Sequence, residues 1–519
     1  MGATNHATIL IRLPALIGGL IDMAQISRRD LIVGSSAAVG GMIVGGAALG
    51  VWTGAMRLPL SQPSPTPTAL TYDAWVAKRV APYYIGHRGA GGVIPEHTLP
   101  SYLKALEWGA ECVEISVVMS SDGVLYCLHD LTLDRTTTLK GNVKSRTSAE
   151  LDTARVSIPR LGPRWAGANM PALPRLRDVL EELRDKAVLC IEPKHDAAFP
   201  PLVQLIKELK LETSVMLKLD ASSPRIAMAK EDGFPVFAYL GNAEVATTEA
   251  IAALARRLDP KRDAMVLPAV SGRALMPADL IQRAVGTGVP IWVFPVHRRQ
   301  EARYYSQLGV EGLIAPCFGY LAEVIPPARS DDFPSGELTP GLLTRDPYAN
   351  AFALSWLDDG ALAVPTPGRQ AFVALGQFCP ITATSYRVTV DVSFDPLPSD
   401  TWQHVSLAFG HTDDRYYEHK LGDTDGYHAL LRADGTMGLY AHVEGEPNGQ
   451  ELAKAQMSTP MKSGVWARVN LDVTPDGFVW SRDDGTTLKA KDNRFRGGYL
   501  HIGSSATDGT LRLRNLTIS

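Results

Sequence analysis

Cysteine is scarce in this 519-residue chain: Cys112, Cys127, Cys190, Cys317 and Cys379, five in all and widely spaced. An odd, dispersed set excludes the disulfide lattice of a small secreted scaffold and leaves buried free thiols as the expectation. An excess of basic charge is missing too. With 51 Lys and Arg against 55 Asp and Glu, the net charge is −4, so nothing in the overall balance calls for nucleic acid or an anionic membrane surface as a partner. Nor is there a basic amphipathic helix of the kind that rests on lipid. What remains is a globular composition, 45% hydrophobic and 20% charged. The length asks for two to four domains at about 100–200 residues each.

One long uncharged run stands out, Leu31 to Met56, behind Ser27-Arg28-Arg29-Asp30. It is rich in Gly, Ala and Val, with six glycines between Gly34 and Gly50. Paired arginines ahead of a moderately apolar segment resemble a twin-arginine export signal, with Thr53-Gly54-Ala55 as a small-residue cleavage site. The other reading is a membrane anchor with basic flanks. Export of an already folded chain suits a protein without disulfides. Residues 1–57 are therefore assigned as signal or anchor. The protein is expected to be extracellular or held on the outer side of the cytoplasmic membrane. Residues 58–80, with alternating prolines at Pro63, Pro65 and Pro67, read as an extended spacer.

From Tyr83 short apolar runs alternate with helical stretches. Strands are expected at Tyr83–Gly86, Cys112–Val118, Leu125–Leu128, Val188–Glu192, Ser214–Leu219, Val236–Tyr239, Ala264–Leu267, Ile291–Val296 and Gly312–Ala315. These runs are continuous rather than alternating, as in strands covered on both faces. Amphipathic segments such as Thr98–Trp108 and Arg298–Leu308 separate them. Repeated strand–helix units predict an α/β architecture with a parallel sheet. Over residues 81–327 their number predicts a (β/α)8 TIM barrel, with a doubly wound open sheet as the alternative.

Residues 328–345 read as a second linker, and residues 346–519 change texture. Tyr386–Val392, Trp402–Phe409, Trp466–Val473 and Leu511–Leu516 alternate apolar and polar, with Asp434-Gly435, Asp476-Gly477 and Asp484-Gly485 between such runs. This predicts an all-β jelly-roll sandwich joined by hairpins. Its texture is similar to laminin-G-like or concanavalin-like lectin domains. That likeness makes a glycan the expected partner, with Trp402 or Tyr417 to stack on sugar and Asp413, Asp414 and Asp423 as a Ca²⁺ candidate.

The barrel segment carries the chemistry. Gly86-His87-Arg88-Gly89 is followed by Pro95-Glu96-His97-Thr98, then Glu111-Cys112-Val113-Glu114-Ile115-Ser116-Val117, Asp122-Gly123, His129-Asp130 and Leu133-Asp134-Arg135-Thr136-Thr137. Ile191-Glu192-Pro193-Lys194 and Gly309-Val310-Glu311-Gly312 come later. His87 and His129 each follow an expected strand. In a barrel that places both at the C-terminal rim, where the connecting loops build active sites. Two imidazoles can supply the base and the acid that phosphodiester cleavage needs. Arg88, a planar fork, and Lys194, a point charge, suit a phosphoryl group. Glu192 and Lys194, two apart on one strand, face the same way. The bland alternatives are two structural histidines and a solvated lysine. Clustering at strand ends beside Arg88 and Asp130 favours catalysis.

In this order and spacing the motifs resemble the signature of the glycerophosphodiester phosphodiesterases, within the phosphatidylinositol phospholipase C-like phosphodiesterases, over residues 83–325. The resemblance implies a phosphoric diester hydrolase. It would release glycerol phosphate and an alcohol from a small or lipid-derived phosphodiester, the glycerol's own hydroxyl attacking phosphorus and water opening the cyclic product. His87 and His129 would be the acid–base pair, in either assignment. Arg88 and Lys194 would hold the phosphate, Glu96 and Asp130 would support the site, and Phe294 would form a substrate wall.

The resemblance also implies a divalent cation, Mg²⁺ or Ca²⁺, on Glu114, Glu192 and the residue at position 116. There the chain departs from the pattern, because Ser116 stands where the family has aspartate. A neutral oxygen on a shorter side chain leaves three outcomes: a weaker ion, a water filling the gap, or no ion. His97 and His297 stand where asparagines are usual, and Pro316 where an aspartate is. Two other functions stay open: a phospholipase-D-like enzyme acting on lysolipids or sphingolipids, and a barrel without activity that serves as a binding protein.

Overall fold

The computed structural model describes residues 70–271, 274–324, 326–331, 342–343, 355–364, 371–415, 424–456, 459–505 and 508–519. The expected signal or anchor, the proline string of the spacer, Tyr417 and Asp423 lie outside them. Among the described residues no helix is long and apolar enough to cross a membrane.

In chain order the first strands are β1 (Tyr83–Gly86), β2 (Cys112–Met119), β3 (Leu125–Cys127), β4 (Val188–Pro193), β5 (Val215–Asp220), β6 (Val236–Tyr239), β7 (Ala264–Pro268), β8 (Ile291–Phe294) and β9 (Gly312–Ala315). All but β3 run parallel, in the order β1–β2–β4–β5–β6–β7–β8–β9. β9 pairs again with β1, Tyr83 opposite Gly312 and Gly86 opposite Ala315. That closure makes the sheet a barrel and rules out the open doubly wound alternative. Each barrel strand shows a two-residue period. In β5, Val215, Leu217 and Leu219 pack outward under the helices, while Met216 points into the barrel. Both faces are therefore buried, and no hydrophobic alternation shows in the sequence.

The helices α1 (Tyr72–Lys78), α2 (Leu99–Glu107), α3 (Leu176–Leu183), α4 (Phe199–Glu208), α5 (Arg225–Glu231), α6 (Thr248–Ala255), α7 (Ala278–Val285) and α8 (Arg299–Gln307) complete the barrel. Their starts follow ordinary capping chemistry. Thr98 accepts from the Ser101 N–H at α2, and Thr247 from the Ala250 N–H at α6. Helix α1 departs from the sequence expectation, since it lies within the stretch read as spacer. Its Tyr72 and Trp75 are buried, and Trp75 meets Tyr83 and Trp292 edge-on at 5.5 and 6.1 Å. They close the barrel floor. A seven-residue helix behind a proline string offers too few apolar positions for periodicity to register.

Strand β3 is the second departure. It lies antiparallel to β2, Val117 opposite Cys127, and opens a long excursion through residue 175 before α3. The excursion has its own small core, including Tyr126, Leu133, Val143, Leu151 and Val156.

The C-terminal sandwich contains β10 (Leu362–Val364), β11 (Ala371–Leu375), β12 (Tyr386–Phe394), β13 (His404–Gly410), β14 (Gly426–Arg432), β15 (Thr436–His442), β16 (Gln450–Gln456), β17 (Ala467–Thr474), β18 (Gly477–Arg482), β19 (Thr487–Ala490), β20 (Gly497–Ser504) and β21 (Leu511–Ile518). One sheet runs β10–β21–β12–β17–β18–β19 and the other β11–β20–β13–β14–β15–β16, all antiparallel. The three expected Asp-Gly pairs fall at hairpins: Gly435 and Gly485 take φ of 90° and 89°, and Gly477 opens β18 opposite Thr474. Part of the expected linker belongs to the sheet: Ser330 and Asp331 pair with Thr517 and Leu516 of β21. All five cysteines are buried and free.

The sandwich is bonded to the barrel at the start of α8. The Asp414 carboxylate accepts from the backbone N–H groups of Arg299 and Gln300, at 2.7 and 2.9 Å, and from the Tyr320 hydroxyl at 2.7 Å. Arg299 in turn donates to the Cys379 carbonyl at 2.9 Å. Asp413 pairs with Arg415. The two aspartates considered for Ca²⁺ thus hold other partners. Trp402 is 60% exposed, with the Arg432 guanidinium 4.3 Å over its ring.

Candidate active site

The upper interior of the barrel changes character. Below, Cys190, Met216, Phe237 and Trp292 fill it with apolar bulk. One layer higher the inward positions become Glu114 and Ser116 on β2, Glu192 on β4, Lys218 on β5, Tyr239 on β6 and Phe294 on β8. The strands are parallel and in register, with Ser116 opposite Glu192. Residues far apart in sequence therefore arrive at one height.

His87 follows β1 directly and is buried, as is Arg88. Arg88 takes a positive φ of 55°. Its backbone N–H donates to Glu114 Oε2 at 3.0 Å, and its guanidinium to Glu96 Oε1 at 2.8 Å. His129 reaches the same rim by another route than a parallel strand end. β3 turns back along β2, the Leu128 N–H bonds the Ser116 carbonyl at 3.0 Å, and the next residue is brought to the level of Ser116. Its side chain is 30% exposed.

The two histidines sit in different electrostatic settings. Burial holds the His87 imidazole well below the ordinary histidine value, and the cations Arg88 and Lys218 add to this against Glu114. Burial also lowers His129, opposed by its bond to Asp130, Nδ1 to Oδ1 at 2.7 Å. The Asp130 carboxyl, despite partial burial, is held well below its usual range by His129 and Arg135. An ionised carboxylate facing Nδ1 puts the ring proton there and leaves Nε2 as the basic nitrogen.

Arg135 ties this pair to the other side of the site. It donates to Asp130 through Nε at 2.6 Å, and to Glu96 through Nη2 at 2.8 Å and Nη1 at 3.1 Å. Glu96 is buried, which alone would raise its carboxyl; Arg88 and Arg135 hold it far below instead. A continuous chain of charge therefore runs Arg88–Glu96–Arg135–Asp130–His129. His97, where asparagine was usual, is buried beneath the site with Nδ1 2.8 Å from the Tyr102 hydroxyl.

The residues expected to hold a cation are together, but their centre is taken. Lys218 Nζ lies 2.7 Å from Glu114 Oε1 and 2.7 Å from Glu192 Oε2. Every oxygen of the two carboxylates has a protein donor. Glu114 Oε2 accepts from the Arg88 N–H. Glu192 Oε1 accepts from Lys194 Nζ at 3.0 Å and from the Tyr239 hydroxyl at 2.9 Å. Ser116 Oγ lies 3.3 and 3.4 Å from Glu114 Oε1 and Glu192 Oε2. Burial would raise the Glu192 carboxyl, yet Lys218 and Lys194 bring it down to about 2. Among the described residues no group of three or more His, Cys, Asp or Glu side chains could hold a metal ion. With a buried ammonium between the two carboxylates, this donor set does not fit a divalent cation. Of the remaining expected residues, Lys194 stands at the rim with its side chain 17% exposed. Phe294 packs against Tyr239, ring centres 6.4 Å apart.

Sequence reasoning missed Lys218 and Tyr239. The available signal was a lone lysine in the apolar run Val215-Met216-Leu217-Lys218-Leu219, on the inward parity of a strand buried on both faces. Arg135 was visible in a motif, but not its bridging position.

Residues 87–315 match the model of the glycerophosphoryl diester phosphodiesterase family. A glycerophosphodiester phosphodiesterase of Caldanaerobacter subterraneus subsp. tengcongensis is 35% identical over 139 residues, which is 26% of this chain and 56% of that relative. The chain thus spans little more than half of that relative's length. Among solved structures, a glycerophosphodiester phosphodiesterase from Agrobacterium tumefaciens is 25% identical, covering 46% of this chain and 97% of its own, with a TM-score of 0.37. An Oleispira antarctica phosphodiesterase in complex with the product sn-glycerol-3-phosphate is 20% identical, covering 47% of this chain and 97% of its own, with a TM-score of 0.39.

Proposed function

Because its barrel belongs to the glycerophosphoryl diester phosphodiesterase family, we propose that this chain is a phosphoric diester hydrolase that cleaves glycerophosphodiesters to a glycerol phosphate and an alcohol. The observation that carries the reading is the pairing of His129 with Asp130 on the same rim as His87, Arg88 and Lys194. One imidazole is oriented by a carboxylate, a second is buried beside a cation, and both stand where an anionic phosphoryl group would be drawn.

His129 acts as the base. Its Nε2 takes the proton of the attacking hydroxyl, and Asp130 stabilises the imidazolium that forms. The oxygen bonds to phosphorus, the bond from phosphorus to the alcohol oxygen breaks, and His87 donates the proton that the leaving oxygen needs. Arg88 and Lys194 counter the charge that builds on the phosphoryl oxygens. When the glycerol hydroxyl is the attacker, the cyclic phosphate is opened by water with the two histidines in exchanged roles. Export through the Arg28-Arg29 segment belongs to the same proposal and would bring the enzyme to substrates outside the cytoplasmic membrane.

The test is turnover of glycerophosphocholine by the full chain, followed as glycerol phosphate released. His87→Ala and His129→Ala are each expected to lower kcat by about 10²–10⁴-fold with unchanged circular dichroism. A folded protein inert on every glycerophosphodiester tried would defeat the reading and favour a binding function.

A further inference from the structure

We infer that the ε-ammonium of Lys218 is the resident cation of this active site. It neutralises Glu114 and Glu192 and offers its remaining N–H to a phosphoryl oxygen of the substrate, so hydrolysis needs no divalent metal. The inference rests on the proposed phosphodiester chemistry and names the group that supplies its central positive charge.

Four observations converge on it. The first is position: Nζ is equidistant from one oxygen of each carboxylate, 2.7 Å to both, and both partners are buried. The second is charge. Three carboxylates around a divalent ion leave one negative charge in excess, and two carboxylates around an ammonium leave the same. The Lys218 ammonium thus brings Glu114 and Glu192 to the same net charge with a serine at position 116. Without that ammonium the two buried carboxylates would face each other uncompensated, which is costly.

The third observation is space. Ser116 lies opposite Glu192 in the β2–β4 register. A short hydroxyl there, within 3.4 Å of both carboxylates, leaves room for the lysine head. The fourth is the rest of the coordination sphere. Around Nζ stand the rings of Tyr239, Phe237 and Phe294, with centres at 5.2, 5.7 and 6.0 Å. Aromatic faces attract an ammonium, whereas Ca²⁺ seeks six to eight oxygens and Mg²⁺ keeps a water shell. An ammonium has three N–H bonds. Two go to the carboxylates, and the third can meet the developing charge on phosphorus-bound oxygen.

The experiment uses the full chain, stripped of metal with EDTA and checked by elemental analysis. Wild-type kcat/KM on glycerophosphocholine should agree within about twofold with EDTA, Mg²⁺ or Ca²⁺. Lys218→Met should lose about 10²–10³-fold, the cost of removing one preorganised donor at a reacting oxygen, with no rescue by metal. The exchange variant Ser116→Asp/Lys218→Ser should regain activity only with Mg²⁺ or Ca²⁺ and lose it to EDTA. Mn²⁺ binding, read by electron paramagnetic resonance, tests the site without turnover: no bound ion in the wild type, one in the exchange variant.

Wild-type activity abolished by EDTA and restored by metal would overturn the inference. So would a wild-type Mn²⁺ signal that Glu114→Gln removes. A wild type that is inert on all glycerophosphodiesters would count against the proposed function instead, and the Mn²⁺ measurement would still decide between ammonium and ion. It decides equally if Lys218→Met fails to fold.

Discussion

Asp130 holds His129 by a single bond, Oδ1 to Nδ1 at 2.7 Å, and this bond selects which imidazole nitrogen can act as base. Asp130→Asn keeps the shape but can present its amide N–H₂ to Nδ1, favouring the wrong tautomer. We expect kcat to fall by at least about 10–100-fold, as when an orienting partner of a functional histidine is lost, with KM little changed. Steady-state kinetics on glycerophosphocholine checks this. A change confined to KM would mean that Asp130 positions substrate instead.

Arg135 bridges Asp130 and the buried Glu96, and Glu96 also pairs with Arg88. Arg135→Met leaves Glu96 with one guanidinium and Asp130 with none. Because Arg135 is partly exposed, the expected loss is about 1–3 kcal/mol, less than for a fully buried pair. Chemical denaturation should show it as a lower midpoint with unchanged slope, and a midpoint equal to wild type would remove the bridge from the stability argument.

Both imidazoles are lowered, each chiefly by burial. A lowered histidine stays neutral to more acid pH, so both flanks of a bell-shaped kcat/KM profile move to the acid side. Its optimum is expected below about pH 6.5, the ordinary imidazole value. Asp130 opposes the effect of burial on His129, so Asp130→Asn should carry one flank further down. The anionic substrate raises both imidazoles, and the kcat profile should therefore lie to the alkaline side of kcat/KM. A kcat/KM optimum above pH 7 would contradict the settings described for the two rings.

Asp414 ends the first turn of α8 from another domain, accepting two backbone N–H bonds and the Tyr320 hydroxyl. Asp414→Ala removes a helix cap and leaves a buried hydroxyl without that acceptor. The expected cost is about 1–3 kcal/mol. Limited proteolysis should cut faster between barrel and sandwich. An unchanged cleavage pattern would show that the seam is held by other contacts.

Much of this protein was settled by local pattern. Continuous apolar runs separated by amphipathic stretches pointed to strands buried on both faces, and their number favoured a barrel that the β9–β1 pairing then settled. Alternation with Asp-Gly turns made a sandwich. His87, Arg88, Glu114, His129 and Glu192 were legible because each sits in a short motif within or just after a strand. Tertiary structure decided which inward residues meet. The two-residue period tells each strand's facing but not its height, and height depends on how eight strands stagger when the sheet closes. Only closure set Lys218 level with Glu114 and Glu192, brought β3 back to carry His129 to the rim, and laid Arg135 between Asp130 and Glu96.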